Sequence, residues 1–240
     1  MKNSKNVVSQ EDIIKILDAI YEKSISGIDK VSIPVGKMAE DYLSKYNDKD
    51  EAVRSMLNAQ IAKCTTSGFI TGFGGAITLP LSIPANIGSV LYVQMRMIAC
   101  TANMAGYDLK SDQVQTLVYA CLAGVSVNEI FKKAGIKFGE KLTQTLIKKI
   151  PGEVLTKLNQ KVGFRFITKA GETGIINLTK LIPGVGAVVN GGLDLVETKI
   201  IADRAYKWFF KGDLSTDKNL DGQRIIDVDV VEVDVLGEEE

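Results

Sequence analysis

Carboxylates spaced along one predicted helix are the residues of this chain best suited to acid–base or metal chemistry. Asp194, Glu197 and Asp203 follow one another at offsets of three and six residues, which brings them partly onto one side of a helix. Carboxylates grouped in this way bind metal ions or activate water, so they are compatible with a hydrolase that works without histidine. The alternative interpretation is that they form a charged helix face or are partners for Arg96 and Arg204.

The absence of histidine narrows the possible chemistry further. None of the 240 residues is a histidine, which excludes Ser-His-Asp and Cys-His catalysis, imidazole metal ligands and a histidine pH switch. The three cysteines are widely spaced and form no CxxC pair, so we expect buried thiols in a reducing compartment. We therefore assign no catalytic residue, no metal site and no cofactor.

The chain contains a glycine-rich motif, Gly68-x-x-x-Gly72-x-Gly74-Gly75, but this motif does not fit a phosphate-binding loop. A phosphate-binding loop needs a lysine after its glycines, and a dinucleotide-binding loop needs the spacing GxGxxG after a strand. Gly68 and Gly72 are one helical turn apart, and such small residues allow another backbone to approach closely in membrane and soluble proteins alike. Helix packing is therefore the favoured interpretation.

These glycines belong to a stretch, Cys64 to Met95, that contains no charged residue. Its length would allow a transmembrane helix, but Pro80 and Pro84 interrupt it and predict a bend between two helices. The pattern around Ile83 and Pro84 returns at residues 182–189, with Pro183, Gly184 and Gly186. We therefore predict two apolar Gly/Pro-containing helical hairpins that pack against each other.

Two polar residues accompany the apolar block. Asn86 follows Pro84 and is interpreted as a cap for backbone groups near the bend. Arg96 is surrounded by uncharged sequence, and a charge in that position needs a partner. A structural ion pair with Asp194, Glu197 or Asp203 is favoured over a role in ligand binding.

Charge asymmetry is the more distinctive feature of the chain, although the net charge is zero. Residues 132–180 contain eleven basic and three acidic residues, a net charge of +8, and apolar residues alternate with the basic ones. This pattern suits the surface of an anionic membrane, where each basic residue adds up to about 1 kcal/mol, and a solvated helix face is the alternative. Nucleic acid is not an expected partner, because the segment is poor in tyrosine and tryptophan. The basic residues are Lys132, Lys133, Lys137, Lys141, Lys148, Lys149, Lys157, Lys161, Arg165, Lys169 and Lys180.

The C-terminal segment carries the opposite charge. Residues 212–240 contain ten acidic and two basic residues, a net charge of −8, and residues 225–235 alternate between apolar and acidic types. The alternation is a strand signature, but a lone strand cannot pair its backbone. We hypothesise that this acidic tail masks the basic segment.

Helical periodicity dominates the rest of the chain. Ser9 and Asp12 form a capping box, Pro34 begins a second helix that ends near Lys45, and Asp48 or Asp50 can cap a third. Further helices are predicted at 112–133 with Asp112 as cap, at 139–149, 152–160 and 163–170, and at 184–210. The fold class is therefore all-α, a compact multi-helix bundle built around the two hairpins. We divide it into N-terminal helices (1–50), a helical domain (51–211) and a short acidic tail (212–240).

Several of these motifs together resemble the EcsC protein family. The resemblance covers about residues 50–210 and rests on the glycine-rich motif, the segments around Pro80, Pro84 and Arg96, Gly106-Tyr107-Asp108, residues 161–165, Pro183-Gly184-Val185-Gly186, and Ile200 to Tyr206 with Asp203 and Arg204. The family is bacterial and named after a gene beside an ABC transporter, and it implies no catalytic residues. The acidic tail is not part of this resemblance.

These observations favour a non-enzymatic protein that associates peripherally with a membrane or with a membrane protein such as an ABC transporter. The N-terminus has no apolar run typical of a signal peptide, so a cytoplasmic location is expected. The first alternative is a lipid- or peptide-binding module with an apolar cavity lined by Gly72, Ile77, Leu79, Val90 and Val188. The second is the histidine-independent hydrolase, and the third is an integral membrane protein. The sequence identifies no small-molecule ligand.

Overall fold

The computed structural model describes residues 9–65, 85–136, 142–170 and 192–214, and its regular elements are helices. An isolated bridge between Ile28 and Ser32 closes the turn after the first helix. The predicted all-α bundle is confirmed. The helices are α1 (Gln10–Ser26), α2 (Val35–Lys45), α3 (Lys49–Thr65), α4 (Ala85–Met104), α5 (Asp112–Ala123), α6 (Asn128–Lys133), α7 (Gln144–Lys148), α8 (Gly152–Ala170) and α9 (Gly192–Ala205), followed by a π-helical turn, Tyr206–Phe210.

Local signals in the sequence explain where several helices begin. The Ser9 hydroxyl accepts a hydrogen bond from the Asp12 amide at 3.1 Å, and the Asp12 carboxylate accepts one from the Ser9 amide at 3.0 Å. This is the predicted capping box of α1. The Asp48 side chain accepts from the Asp50 amide at 3.0 Å at the start of α3. Helix α4 begins directly after Pro84, as predicted.

Two of the wrong helix boundaries involve a glycine, and the helix predicted at 139–149 is also shorter, because Thr143 caps it and α7 begins only at Gln144. The helix predicted at 112–133 ends at Ala123, because Gly124 adopts the left-handed conformation (φ 64°) and closes α5. The side chain that caps α5 is Ser111, which precedes Asp112. Conversely, α8 continues through Gly163, where a break was predicted. Gly163 packs on Gln10, and a Cβ there would lie 3.0 Å from the Gln10 Cβ.

Helix α4 lies at the centre of the bundle. It contacts α1, α2, α3, α5, α9 and the π-helical turn, and every residue from 88 to 102 is buried. A helix enclosed by other helices needs apolar residues on all sides, which explains why charged residues are nearly absent from it. Within the described ranges, no helix combines the length and the apolarity needed to cross a membrane.

The C-terminal helices continue into a packed segment that extends past the predicted start of the tail. Leu214 is buried, and its carbonyl oxygen accepts a hydrogen bond from the Asn128 side chain at 2.6 Å. The Asp213 amide donates to the Lys207 carbonyl at 2.8 Å. Residues 212–214, which the sequence analysis assigned to the tail, therefore belong to the packed bundle.

An ionic cluster joins the start of α3 to this C-terminal segment. The Asp50 carboxylate contacts the Arg54 and Lys211 side chains, each at 2.5 Å, and Arg54 donates to the Tyr206 hydroxyl at 2.9 Å. Partial burial alone would raise the pKa of Asp50. Hydrogen bonds from its three neighbours outweigh that effect and lower this pKa well below the usual range.

Several predicted motif residues lie outside the described part of the chain, so the hairpin pairing and the division into domains stay predictions. The acidic tail from Ser215 onward also lies outside, and so do most residues of the predicted apolar cavity. The motif residues concerned are Gly68, Gly72, Gly74, Gly75, Pro80, Pro84, Pro183, Gly184, Gly186, Lys137 and Lys141, together with the side chains of Asn86, Lys169 and Asp194.

Two buried tyrosines should make the free energy of unfolding decrease at alkaline pH. Tyr21 donates to the Leu109 carbonyl at 2.8 Å and Tyr119 to the Asp18 carboxylate at 2.7 Å, and burial raises the pKa of both phenols. The unfolded chain therefore releases these protons first, near pH ~10. The free energy of unfolding should be undiminished below that pH and fall as the pH rises above it. Urea denaturation measured on both sides of pH ~10 checks this.

The variant Tyr119→Phe removes one of the two ionisations. It should lower the free energy of unfolding at neutral pH by about 1 kcal/mol, because the hydrogen bond to Asp18 is lost. Its stability should then fall less steeply with alkaline pH than that of the natural chain. Equal slopes for the two proteins would show that Tyr119 ionises as easily in the folded state as in the unfolded state.

Candidate functional site

The predicted basic residues whose side chains are described are all exposed. They lie at the ends of α6 and α7 and along α8, and lysines in the last turn of a helix are favoured by the helix dipole. That dipole gives Lys132, Lys133 and Lys148 a structural role as well as a possible functional one. We call the exposed set the basic surface: Lys132, Lys133, Lys148, Lys149, Lys157, Lys161 and Arg165.

Helix α8 presents part of this surface because it is amphipathic. Val154, Leu158, Val162 and Phe166 recur every four residues and are buried, where the helix packs against α1 and α5. Lys157, Lys161 and Arg165 recur with the same spacing and are exposed. Burial of the apolar stripe therefore fixes the direction in which the cations point.

Phe164 is an exception to the polarity of this exposed face. Its side chain is 58% exposed, although it lies between Lys161 and Arg165 on α8. The described residues include one other exposed large hydrophobic residue, Ile33, at 37%. The sequence analysis did not single out Phe164. Its position seven residues after Lys157 and three after Lys161 would have placed it on the same helical face as these lysines. Phe164 is therefore an exposed aromatic ring flanked by cations on the polar face of α8.

A groove next to Phe164 is formed where α8 meets α6 and the start of α1. Its volume is about 480 Å³, and it brings Lys133, Lys157 and Lys161 together beside the aromatic ring. Glu129 is the acidic residue in its lining, 3.9 Å from Lys161, and both side chains are largely exposed, so this ion pair contributes little. Gln10, Ile130 and Gln160 complete the lining. The other members of the basic surface lie outside the groove.

The two arginines of the predicted motifs bind backbone carbonyl groups. Arg96, which is 4% exposed, donates to the Ser24 carbonyl at 3.1 Å and to the Ile33 carbonyl. Within the described ranges it forms no ion pair with Glu197 or Asp203, so the predicted pairing with either of them is wrong. A backbone carbonyl in the last turn of α1 and one in the loop before α2 provide the hydrogen-bond acceptors instead.

Arg204 has the equivalent position at the end of another helix. Its guanidinium donates to the Cys121 carbonyl at 2.7 Å, in the last turn of α5, and lies against Gly124. A Cβ at Gly124 would be 3.1 Å from the Arg204 Nη2 atom, so the glycine leaves room for the cation. The favourable interaction of a cation with a helix C-terminus supports this arrangement.

The carboxylates of the predicted hydrolase site do not form an exposed face. Glu197 is 7% exposed and Asp203 is 4% exposed, and Thr198 between them accepts a hydrogen bond from Gln94 at 3.0 Å. Across the ranges that the structure describes, no three carboxylate or thiol side chains come together as a possible metal site. Because both carboxylates are buried, neither belongs to an exposed charged helix face.

Comparison with known proteins agrees with the resemblance seen in the sequence. The sequence model of the EcsC protein family matches residues 7–210. The chain belongs to the EcsC protein family. The match includes α1 and α2, which precede the resemblance seen at about residues 50–210, and it contains every residue of the groove. Neither the curated proteins nor the solved structures contain a match to this EcsC chain.

Two phenylalanines of α8 allow the exposed and buried faces to be compared directly. Phe164 is 58% exposed, whereas Phe166 is 7% exposed. Phe164→Ala should change the free energy of unfolding by no more than about 0.5 kcal/mol, and Phe166→Ala should lower it by about 3 kcal/mol. Chemical denaturation measures both. Similar losses for the two variants would mean that Phe164 stabilises the bundle and is not available for a partner.

Proposed function

We propose that this EcsC protein binds peripherally to anionic membranes through the groove and the basic surface around it. The observation that supports this most directly is Phe164, an exposed aromatic ring on the same helical face as Lys157 and Lys161. Apolar insertion combined with basic residues is the combination that holds proteins reversibly at a lipid surface. The proposal places the protein at the cytoplasmic face of a membrane.

The energies are sufficient for reversible binding. Four basic residues close to Phe164, namely Lys133, Lys157, Lys161 and Arg165, each contribute about 1 kcal/mol next to an anionic surface. Transfer of the Phe164 ring from water into the interface adds about 2 kcal/mol. The sum of about 6 kcal/mol corresponds to a dissociation constant of roughly 50 µM. Because most of this energy is electrostatic, binding should weaken as salt screens the charges.

A membrane protein with an acidic cytoplasmic surface, such as an ABC transporter, is a second possible partner for the same cations. The basic residues suit both partners, but an exposed phenylalanine is better explained by lipid, into which the ring can insert. Vesicles that contain no protein distinguish the two partners, since they offer only the lipid surface.

The first test is flotation of the purified chain with lipid vesicles. We expect binding to vesicles that contain phosphatidylglycerol and little binding to pure phosphatidylcholine, with a loss of binding at high salt. Lys157→Gln combined with Lys161→Gln should weaken binding by about tenfold or more, because two contributions of about 1 kcal/mol are removed. Phe164→Ser should weaken it by a similar factor.

Matched controls come from exposed residues elsewhere in the chain. Lys23→Gln combined with Lys37→Gln removes the same charge from α1 and α2, and Ile33→Ser alters the second exposed hydrophobic residue. These controls should bind vesicles like the natural chain. Equal losses in the control and test variants, or no preference for anionic lipid, would contradict the proposal.

The acidic tail is proposed to oppose membrane binding. Residues 215–240 contain nine acidic and two basic residues, so they can compete with lipid for the basic surface. Deletion of these residues should increase binding to anionic vesicles, most strongly at low salt. The deletion begins after Leu214, because that residue is buried and a cut at 212 would damage the bundle.

A scrambled tail of identical composition provides the control for this deletion. If the tail acts through charge alone, the scrambled protein should bind vesicles as weakly as the natural chain. Unchanged binding after deletion would contradict masking, while leaving the proposed role of Phe164 and the lysines intact.

A further inference from the structure

A second concave site lies on a different part of the molecule, where the loop between α1 and α2 meets α2, α3 and α4. This pocket has a volume of about 190 Å³. It shares no lining residue with the groove beside Phe164. The residues that matter for its chemistry are Arg96, Gln60, Tyr92, Asp41, Lys45 and Lys63.

Arg96 gives this pocket its chemical character. The Ser24 and Ile33 carbonyls occupy two of the five N–H donors of its guanidinium, which is buried. Carbonyl oxygens reduce the cost of burying the cation, but they do not neutralise its charge. An anion that enters the pocket could accept from the other donors and supply the missing negative charge.

The surrounding charges favour an anion as well. Lys45 and Lys63 line the pocket together with Arg96, and Asp41 is the carboxylate among the lining residues. The formal charge of the lining is therefore +2. Gln60, which is 2% exposed, and Tyr92, which is fully buried, add polar groups on the inner side.

We propose that this pocket binds the phosphate or carboxylate group of a small anionic molecule. A guanidinium is well suited to such groups, because its planar donors match two oxygen atoms at once. The volume is below that of pockets for drug-sized ligands, so the site fits a compact anion and not an acyl chain. This site is independent of the proposed membrane binding.

Inorganic phosphate and acetate are the probes that test the site, titrated at constant ionic strength and followed by NMR chemical shifts. At least one of them should bind saturably to the natural chain. Asp41→Asn should tighten that binding by about threefold, and Lys45→Gln should weaken it by about threefold, because one charge of the lining is removed in each case. Both positions lie at the surface of α2, so the fold should tolerate both changes. Lys157→Gln, in the groove, is the control and should have no effect.

Arg96→Lys tests the buried cation itself. It keeps the charge but loses the planar pair of donors, so phosphate binding should weaken by at least about tenfold. If this variant fails to fold, the opposite effects of Asp41→Asn and Lys45→Gln still decide the matter. Absence of saturable binding, or identical affinities in those two variants, would overturn the proposal.

Vesicle flotation of the same variants separates a small molecule from a lipid headgroup. Asp41→Asn and Lys45→Gln should bind anionic vesicles like the natural chain, because they lie outside the basic surface. A change in vesicle binding without any change in phosphate or acetate binding would overturn the small-molecule site and assign the pocket to lipid.

Discussion

The enclosure of α4 by other helices is the constraint on which the rest of the structure depends. A helix without a solvent-facing side must satisfy each of its polar side chains within the protein. The Gln94 amide nitrogen donates to Thr198 on α9, although its buried oxygen has no partner among the described residues, and the Tyr92 hydroxyl lies 2.5 Å from the Ser32 hydroxyl in the loop after α1. Arg96 reaches two carbonyl groups in the same region. The polar groups of one central helix thus fix the positions of its neighbours.

Arg96 and Arg204 make the same kind of contact. Each guanidinium donates to a carbonyl group in the last turn of another helix, Arg96 to Ser24 in α1 and Arg204 to Cys121 in α5. The last four carbonyls of a helix have no partner within it, so a cation there supplies hydrogen bonds and interacts favourably with the helix dipole. These contacts help to fix the orientation of α4 relative to α1 and of α9 relative to α5, in a bundle with few described ion pairs.

Helix starts that depend on neighbouring residues could be predicted from the sequence. Hydrogen bonds between a side chain and a distant backbone atom could not. The capping box at Ser9 and the proline before α4 depend on neighbouring residues alone, and both were predicted correctly. The acceptors for Arg96 could not be predicted, because every residue has a carbonyl group and none is marked by its side chain. Gly124 was misjudged because a glycine is tolerated within many helices. Its left-handed conformation ends α5, and its lack of a Cβ leaves room for Arg204.

The close contact between Gly163 and Gln10 has a practical consequence for handling the protein. Gln10 is the first residue of α1 and also lines the groove. The position of this edge of the groove therefore depends on the hydrogen bonds of the Ser9–Asp12 cap. Hydrogen bonds from Ser9 lower the pKa of Asp12, and protonation in acid would loosen that first turn. Acidic buffers should therefore weaken the edge of the groove that Gln10 forms.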